Sequence, residues 1–244
     1  MIKINNLTKK YKDKVAVNNL TLEIKSGEIF SLLGTNGAGK TTTIKMLSTL
    51  ILPTSGECNI NDLDLIKDSG KIKEIINISP QETAVAPNLT VLENLYFMAG
   101  IYKIPNKENK IKELIKIFKL EEVLKQKAKT LSGGYQRKLS IAISLINEPK
   151  ILFLDEPTLG LDVISRHDLW KVIDALKGNT TIVLTTHYME EAEKLSDKIG
   201  IMNKGNLIEL GTSQELIKKA HAKNFEDAFI KLIEEDNNEN NNLC

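Results

Sequence analysis

The chain has 244 residues, 41% of them hydrophobic and 27% charged, which suits a globular protein with a substantial buried core. A formal net charge of +1 shows no general basic bias, so the composition does not favour a nucleic-acid partner. Cys58 and Cys244 lie outside any paired-ligand spacing, which argues against a zinc site and for a reducing compartment. No apolar signal segment or membrane span is visible, so we expect a cytoplasmic chain.

In chain order, residues 1–33 predict short strands, ending in the apolar run IFSLL. The segments GTNGAGK and TTTIKMLSTL predict a glycine loop and a helix, and residues 88–150 predict a helical subdomain. Strands return at KILFLD, TTIVLTT and KIGIMNKGNLIEL. We therefore expect an α/β fold with a mostly parallel sheet and an N-terminal antiparallel β region over residues 1–233. The acidic, asparagine-rich residues 234–244 predict a disordered tail.

The glycine loop carries the first chemical motif, G-x-x-x-x-G-K-[ST], which is typical of a P-loop NTPase core. Glycines allow successive N–H groups to converge on phosphate oxygens, and the following helix dipole favours the anion. Lys40 is expected to reach the β- and γ-phosphates, and the Thr41 hydroxyl is expected to bind Mg²⁺. The predicted nucleotide-binding residues of this loop are Gly34, Thr35, Asn36, Gly37, Ala38, Gly39, Lys40, Thr41 and Thr42.

Two carboxylates follow the apolar strand KILFLD, at the sheet edge where ligands of parallel sheets bind. We expect Asp155 to hold Mg²⁺ and Glu156 to orient and polarise an attacking water. The segment LSGGYQRKLSIAISLI places Ser132, Gly133 and Gly134 at the start of a helix, which forms a second phosphate-binding site. One nucleotide does not need two such sites, so we expect Ser132 to act on the ATP bound by another copy.

These motifs together resemble the ATP-binding subunit of an ABC transporter, over nearly the full length of the chain. The resemblance implies that Tyr11 stacks on adenine and that Asp162 crosses the dimer interface. It implies that Gln81 senses Mg²⁺ and the γ-phosphate, and that His187 is the switch histidine. Lys40, Gln81, Glu156 and His187 would then serve catalysis, with Thr41, Gln81 and Asp155 at the metal. The cofactors implied are ATP and Mg²⁺.

The segment THYMEEAEKLSD resembles exporters of the drug and antibiotic type, whose membrane subunits are separate chains. The partners implied are a membrane permease and a second ATP-binding subunit, identical or paralogous, with the chain peripheral on the cytoplasmic face of the membrane. Thr35, Tyr135 and Val163 depart from the family pattern without removing a catalytic position. An importer subunit, or an ABC ATPase that is not coupled to transport, remains an alternative, and a small-molecule kinase would not need the LSGG helix.

The chain uses lysine almost everywhere, and Arg137 and Arg166 are its two arginines. A guanidinium makes planar, forked contacts that an ammonium cannot reproduce. We therefore expect both arginines to make such contacts with carboxylates or backbone carbonyls.

Overall fold

The computed structural model describes residues 1–241, which form ten strands and nine α-helices. The strands are β1 (Ile2–Tyr11), β2 (Lys14–Ile24), β3 (Ile29–Gly34), β4 (Ser55–Ile60), β5 (Leu63–Asp64), β6 (Ile76–Ser79), β7 (Ile151–Asp155), β8 (Thr181–Thr186), β9 (Lys198–Asn203) and β10 (Asn206–Gly211). The helices are α1 (Lys40–Leu47), α2 (Ser69–Ile75), α3 (Val91–Ile101), α4 (Lys107–Phe118), α5 (Gly133–Ser144), α6 (Val163–Ala175), α7 (Met189–Leu195), α8 (Ser213–Lys219) and α9 (Phe225–Asn241).

The strands form two sheets. The first is antiparallel, with the order β2-β1-β4-β5. The second has the order β10-β9-β3-β8-β7-β6 and is parallel except for the edge strand β10. Strands β3, β7 and β8 are buried along their whole length because their residues are mostly apolar or β-branched, as in sheets covered on both faces. The expected α/β fold with an N-terminal antiparallel region is confirmed.

The register of the second sheet aligns the ends of its central strands. Leu33 of β3 pairs with Thr186 of β8, and Asp155 of β7 pairs with Thr185 of β8. Parallel strands end at the same edge of a sheet, so the residues that follow β3, β7 and β8 lie side by side. That edge therefore gathers the glycine loop, the two carboxylates and His187.

Helices α3, α4 and α5 lie between β6 and β7 in the chain. α3 begins at a capping box, in which Thr90 and Glu93 each accept from the other's backbone N–H. Val91 and Leu95 of α3 and Leu114 of α4 are buried in one apolar core with residues of α5. The start of α5 is consequently held on a packed helical layer. No helix in the described part of the chain is long and apolar enough to cross a membrane.

Helix α9 differs from the sequence-based expectation of a disordered tail. Phe225 and Leu232 are buried in a core shared with α8 and β9. One turn further, the Asn203 side-chain amide donates to Asp236 Oδ2 at 2.7 Å. These contacts anchor a helix that continues to the end of the described residues, so the expectation of disorder is wrong for residues 234–241. The last three residues of the tail lie outside the described range.

Candidate functional site

The loop between β3 and α1 has the backbone of a phosphate-binding loop. Gly39 precedes α1 with φ of 104°, a conformation that favours glycine. A Cβ at this position would lie 2.5 Å from the Ala16 carbonyl oxygen, and a Cβ on Gly34 would overlap the Met202 carbonyl. The glycines therefore bring the backbone close to its neighbours and leave the first N–H groups of α1 facing the loop, where the helix dipole favours an anion.

Lys40 connects this loop to the end of β7. Its Nζ donates to the carbonyl oxygens of Gly34 at 2.7 Å and Thr35 at 3.2 Å. The same atom lies 3.4 Å from Glu156 Oε1, with both side chains buried. A compact positive charge is thus held where the loop N–H groups converge, which suits the recognition of a polyphosphate.

Asp155 and Thr41, two of the three residues predicted to bind Mg²⁺, lie in direct contact. Asp155 Oδ1 accepts hydrogen bonds from Thr41 Oγ1 at 3.0 Å and from Thr185 Oγ1 at 2.5 Å. Gln81 is exposed and lines the same cleft. Carboxylate, hydroxyl and amide oxygens are hard ligands, and Mg²⁺ typically takes one or two carboxylates together with phosphates and water. These side chains fit such an ion.

Glu156 occupies an unusual backbone conformation between two basic side chains. Its φ is 48°, which is uncommon for a residue other than glycine and is found where the surroundings fix the backbone. The Glu156 N–H donates to the Thr185 hydroxyl at 3.0 Å. His187 Nδ1 lies 2.8 Å from Glu156 Oε2, while Lys40 approaches the other carboxylate oxygen. A carboxylate fixed in this way can orient a water molecule and accept its proton.

A cleft of about 560 Å³ opens over these groups, a size typical of small-molecule sites. Of the residues predicted from the sequence, its lining includes Tyr11, Asn36, Gly37, Ala38, Gly39, Lys40, Thr41, Thr42, Gln81, Glu156 and His187. Gly34 and Thr35 adjoin the cleft through their bonds to Lys40, and Asp155 adjoins it through Thr41. The Tyr11 ring is 44% exposed and therefore open to stacking by a base.

The remaining predicted residues form a second group on the surface. Ser132 caps α5 as expected, and Asp162 caps α6 by accepting from the Ser165 hydroxyl at 2.7 Å and the Ser165 N–H at 3.0 Å. These bonds hold the pKa of Asp162 below its ordinary value. A Cβ on Gly134 would lie 2.8 Å from Ser165 Oγ, so the two helix starts adjoin. Ser132, Gly133 and Asp162 are exposed, and none of them lines the cleft.

The family model described as ABC transporter matches residues 17–159, more than half of the chain. The matched span contains the phosphate loop, Gln81, the start of α5 and the end of β7. The chain belongs to the ABC transporter family. Tyr11, Asp162 and His187 lie outside the matched span.

Relatives of this chain come from animals, bacteria and plants. The phospholipid-transporting ATPase ABCA3 of Homo sapiens is 43% identical over 89% of this chain and 13% of its own length. The probable multidrug ABC transporter ATP-binding protein YbhF of Escherichia coli is 38% identical over 99% of the chain and 43% of its own length. The linearmycin resistance ATP-binding protein LnrL of Bacillus subtilis is 39% identical over 90% of the chain and 71% of its own length. The chain therefore spans less than half the length of the first two relatives.

Solved structures of ABC transporter cassettes have the same fold. An ATP-binding subunit of an ABC transporter superposes with a TM-score of 0.85 at 26% identity, over 95% of this chain and 99% of that one. The ATP-binding cassette MJ0796, in a dimeric post-hydrolysis state bound to ADP and Pi, superposes with a TM-score of 0.78 at 29% identity, over 87% of this chain and 98% of that one. The resemblance to an ABC ATP-binding subunit is confirmed.

The two arginines of this ABC domain behave differently. Arg137 donates to three backbone carbonyl oxygens, so its predicted forked contacts are confirmed. Arg166 instead stacks on the Tyr188 ring, with its guanidinium carbon 4.4 Å from the ring centroid. The buried Arg166 Nε finds no hydrogen-bond partner within the described residues. The expectation is wrong for Arg166 because an aromatic face, and not a carboxylate or carbonyl, lies against its guanidinium.

Sequence reasoning missed Thr185, which bonds the Asp155 carboxylate and the Glu156 backbone of the ABC site. Its hydroxyl donates to Asp155 Oδ1 and accepts from the Glu156 N–H. The available signal is the pair of threonines that ends the apolar strand TTIVLTT just before His187. Polar side chains at the carboxyl end of a buried parallel strand belong to the binding edge of the sheet.

Proposed function

We propose that this chain binds and hydrolyses ATP as one half of a head-to-tail dimer and drives transport through separate membrane subunits. The observation that carries the proposal is the separation of two phosphate-binding surfaces in one chain. The phosphate loop lines the cleft, whereas Ser132 and Gly133 are exposed outside it. Ser132 of a second copy is then the group that closes over the ATP in this cleft. The dimeric cassette structures that resemble this chain support the arrangement.

The surface around Asp162 also supports a second copy. Leu159, Val163 and Ile164 are 40%, 65% and 77% exposed, although apolar side chains of this size are usually buried. Asp162 lies among them and caps the helix that begins with Val163. Apolar side chains that share an exposed surface mark interaction sites, so a contact between copies at this surface would remove them from water.

Thr41, Asp155 and Gln81 are the residues proposed to hold Mg²⁺ with ATP. When bound, the ion would neutralise negative charge on the β- and γ-phosphates. Lys40 would add its own positive charge to the same phosphates, and the N–H groups at the start of α1 would bind their oxygens. Tyr11 would stack on the adenine. Together these side chains would place the γ-phosphate beside Glu156.

Glu156 is the residue proposed to act on the attacking water. Its carboxylate would accept the proton of that water as the oxygen attacks the γ-phosphorus, and ADP would leave as the terminal bond breaks. His187 holds the Glu156 carboxylate at 2.8 Å and would contact the γ-phosphate from its other ring nitrogen. Ser132 of the second copy would stabilise the same transferring group. Loss of phosphate would then open the dimer, because the bridge between the two copies is gone.

Helix α3 is the proposed contact for a membrane subunit. Val91 and Leu95 are fully buried, whereas Phe97 and Ile101 are 55% and 56% exposed. One face of the helix thus packs in the core and another remains available to a partner. The names of the multidrug and linearmycin-resistance relatives favour an exporter, with this chain on the cytoplasmic face of the membrane.

Glu156→Gln tests the dimer proposal directly. Glutamine preserves the size of the side chain but cannot accept the proton, so we expect turnover to fall at least about 100-fold, within the range for loss of general-base catalysis. ATP should then hold two chains together, and size-exclusion chromatography with Mg²⁺-ATP should show a dimer. Glu57→Gln, an exposed residue of β4, is the matched control and should leave turnover and elution unchanged. A Glu156→Gln protein that stays monomeric and retains turnover would contradict the proposal.

A further inference from the structure

We infer that Arg137 is a positioning residue that couples the two ATP sites to which one chain contributes. Arg137 lies in the second turn of α5, and its side chain is 4% exposed. The inference depends on the proposed dimer. In that dimer the start of α5 contacts the ATP of the second copy, whereas the phosphate loop of the same chain binds the chain's own ATP. Arg137 itself would touch neither nucleotide.

The contacts of Arg137 join α5 to two separate backbone segments, residues 80–81 and residues 155–157. Nε donates to the Pro157 carbonyl at 2.8 Å, and one terminal nitrogen donates to the Asp155 carbonyl at 2.9 Å. The other terminal nitrogen donates to the Pro80 carbonyl at 2.5 Å and approaches the Gln81 carbonyl at 3.5 Å. All the acceptors are main-chain oxygens, so the geometry of these hydrogen bonds depends directly on the position of the backbone.

Each of these segments carries a residue of the chain's own ATP site. Pro80 immediately precedes Gln81, which lines the cleft. Asp155 and Pro157 flank Glu156 on both sides. At its other end, α5 begins just after Ser132, the residue proposed to contact the ATP of the second copy. The Arg137 side chain therefore connects the first turns of α5 to both loops of the chain's own site, the loop that contains Gln81 and the loop that contains Glu156.

The charge of Arg137 indicates a role beyond filling space in the core. Burial lowers the pKa of Arg137 to about 10, and the nearby negative charges of Asp155 and Glu156 oppose that shift. The side chain therefore stays charged at neutral pH. No carboxylate lies within ion-pair distance of it in the part of the chain that the structure describes. Burying a charge that is matched only by carbonyl dipoles is unfavourable unless its hydrogen bonds are kept, so the two segments must move with α5.

Lysine cannot make the same connection. A guanidinium offers five N–H donors in a planar fork, whereas an ammonium is a point charge at the end of a flexible chain. Arg137→Lys preserves the charge but cannot donate to all the carbonyl oxygens of both segments from one fixed plane. A shift of Gln81 or of the Glu156 loop on binding ATP would then no longer be transmitted to Ser132.

The test measures the cooperativity of ATP hydrolysis against ATP concentration in the Arg137→Lys protein. A dimer with two coupled sites can show a Hill coefficient of up to about 2. We expect the wild-type value to lie clearly above 1 and the Arg137→Lys value to fall to about 1. The maximal rate should fall by about tenfold, with binding of a fluorescent ATP analogue to the monomer changed less than about twofold.

Arg166→Lys is the matched control, because a lysine can keep the contact with the Tyr188 ring. It should retain the wild-type Hill coefficient. Arg137→Gly provides a second measurement that does not depend on how lysine packs. Millimolar guanidinium should restore cooperativity to Arg137→Gly, and the same concentration of urea should not.

Several results would overturn the inference. A wild-type Hill coefficient in Arg137→Lys would refute it, and so would a loss of monomer ATP binding or of thermal stability that matches the loss of rate. A failure of guanidinium to restore cooperativity in a folded Arg137→Gly protein would refute it as well. If the wild type is itself non-cooperative and Glu156→Gln stays monomeric, the proposed dimer fails and this inference fails with it.

Discussion

Glu191 of α7 provides a test of how burial changes the pKa of a carboxyl group near the site, because its side chain is fully buried. The Trp170 indole N–H donates to Glu191 Oε1 at 3.0 Å. Burial is the main cause and raises the pKa of Glu191. The Thr186, Trp170 and Thr158 side chains lower it by less, and the negative charge of Glu156 makes the smallest contribution, which raises it. We therefore predict that Glu191 keeps its proton to a higher pH in the folded protein than in the unfolded chain.

Two substitutions test the buried carboxyl group. Glu191→Gln keeps an oxygen for the Trp170 N–H and cannot ionise, so it should cost less than about 1 kcal/mol. Glu191→Ala leaves the indole N–H buried without a partner, which costs about 1–3 kcal/mol, and adds a cavity term. Together these give about 3 kcal/mol, or a decrease in Tm of about 6–12 °C at about 2–4 °C per kcal/mol for a chain of this size.

The contribution of Glu191 to the free energy of unfolding depends on pH, and the direction of that dependence follows from the raised pKa. In the unfolded chain Glu191 titrates near its ordinary value of 4.5, whereas the folded state keeps the proton to higher pH. Above that value the folded state binds more protons than the unfolded state, so the contribution of Glu191 to stability falls as pH rises toward the folded pKa. The loss is up to about 1.4 kcal/mol per pH unit. Glu191→Gln removes this dependence, so its stability relative to wild type should increase with pH.

Thermal unfolding of the three proteins between about pH 5 and pH 8 is the assay. Glu190→Gln is the matched control, since Glu190 is an exposed neighbour paired with Lys194 at 3.1 Å. Surface pairs of this kind contribute little, so its Tm should stay within about 2 °C of wild type. The reasoning is refuted if Glu191→Gln is as unstable as Glu191→Ala and its stability runs parallel to wild type across this range.

Two further predictions concern the ATP site. Thr185→Val removes the hydroxyl that bonds the Asp155 carboxylate and the Glu156 backbone N–H while keeping the side-chain shape, so we expect turnover to fall by about 10- to 100-fold and the Mg²⁺ requirement to rise. Unchanged turnover in a Mg²⁺ titration would show that Thr185 does not position Asp155. Gly39→Ala should weaken ATP binding at least about tenfold, because the new Cβ would lie 2.5 Å from the Ala16 carbonyl oxygen. Gly178→Ala is its control, since Gly178 has φ of 83° with open space around it, and equal nucleotide binding by both variants would contradict the steric argument.

The parts of the site that were predictable are those whose chemistry is local in sequence. The glycine loop needs consecutive backbone conformations, so Gly34, Gly39 and Lys40 appear as one short motif. Asp155 and Glu156 follow an apolar strand directly, and the rule that parallel strands bind ligands at their carboxyl ends places them without any knowledge of the register. The α/β class follows from the same alternation of strands and helices.

The parts that were missed depend on contacts between distant segments. Thr185 matters because β8 pairs beside β7, and neither strand encodes that pairing in its own composition. A planar contact was foreseeable for Arg166, but a tyrosine as its partner was not. The last turns of α9, residues 234–241, were missed because their composition is that of a disordered segment. Phe225 and Leu232, which are buried earlier in the same helix, and the hydrogen bond from Asn203 to Asp236 show why the helix continues there.

Gly134 shows why the two surfaces proposed to face the second copy belong to one unit. A side chain there would meet Ser165 Oγ at 2.8 Å, so the glycine lets the start of α5 lie against the start of α6. Ser165 in turn is bonded twice to Asp162. Ser132 and Asp162 therefore share one packed junction, and Arg137 fixes that junction to the loops of the chain's own cleft. Movement at one ATP would thus be transmitted, through hydrogen bonds that a single substitution can remove, to the residues proposed to contact the other ATP.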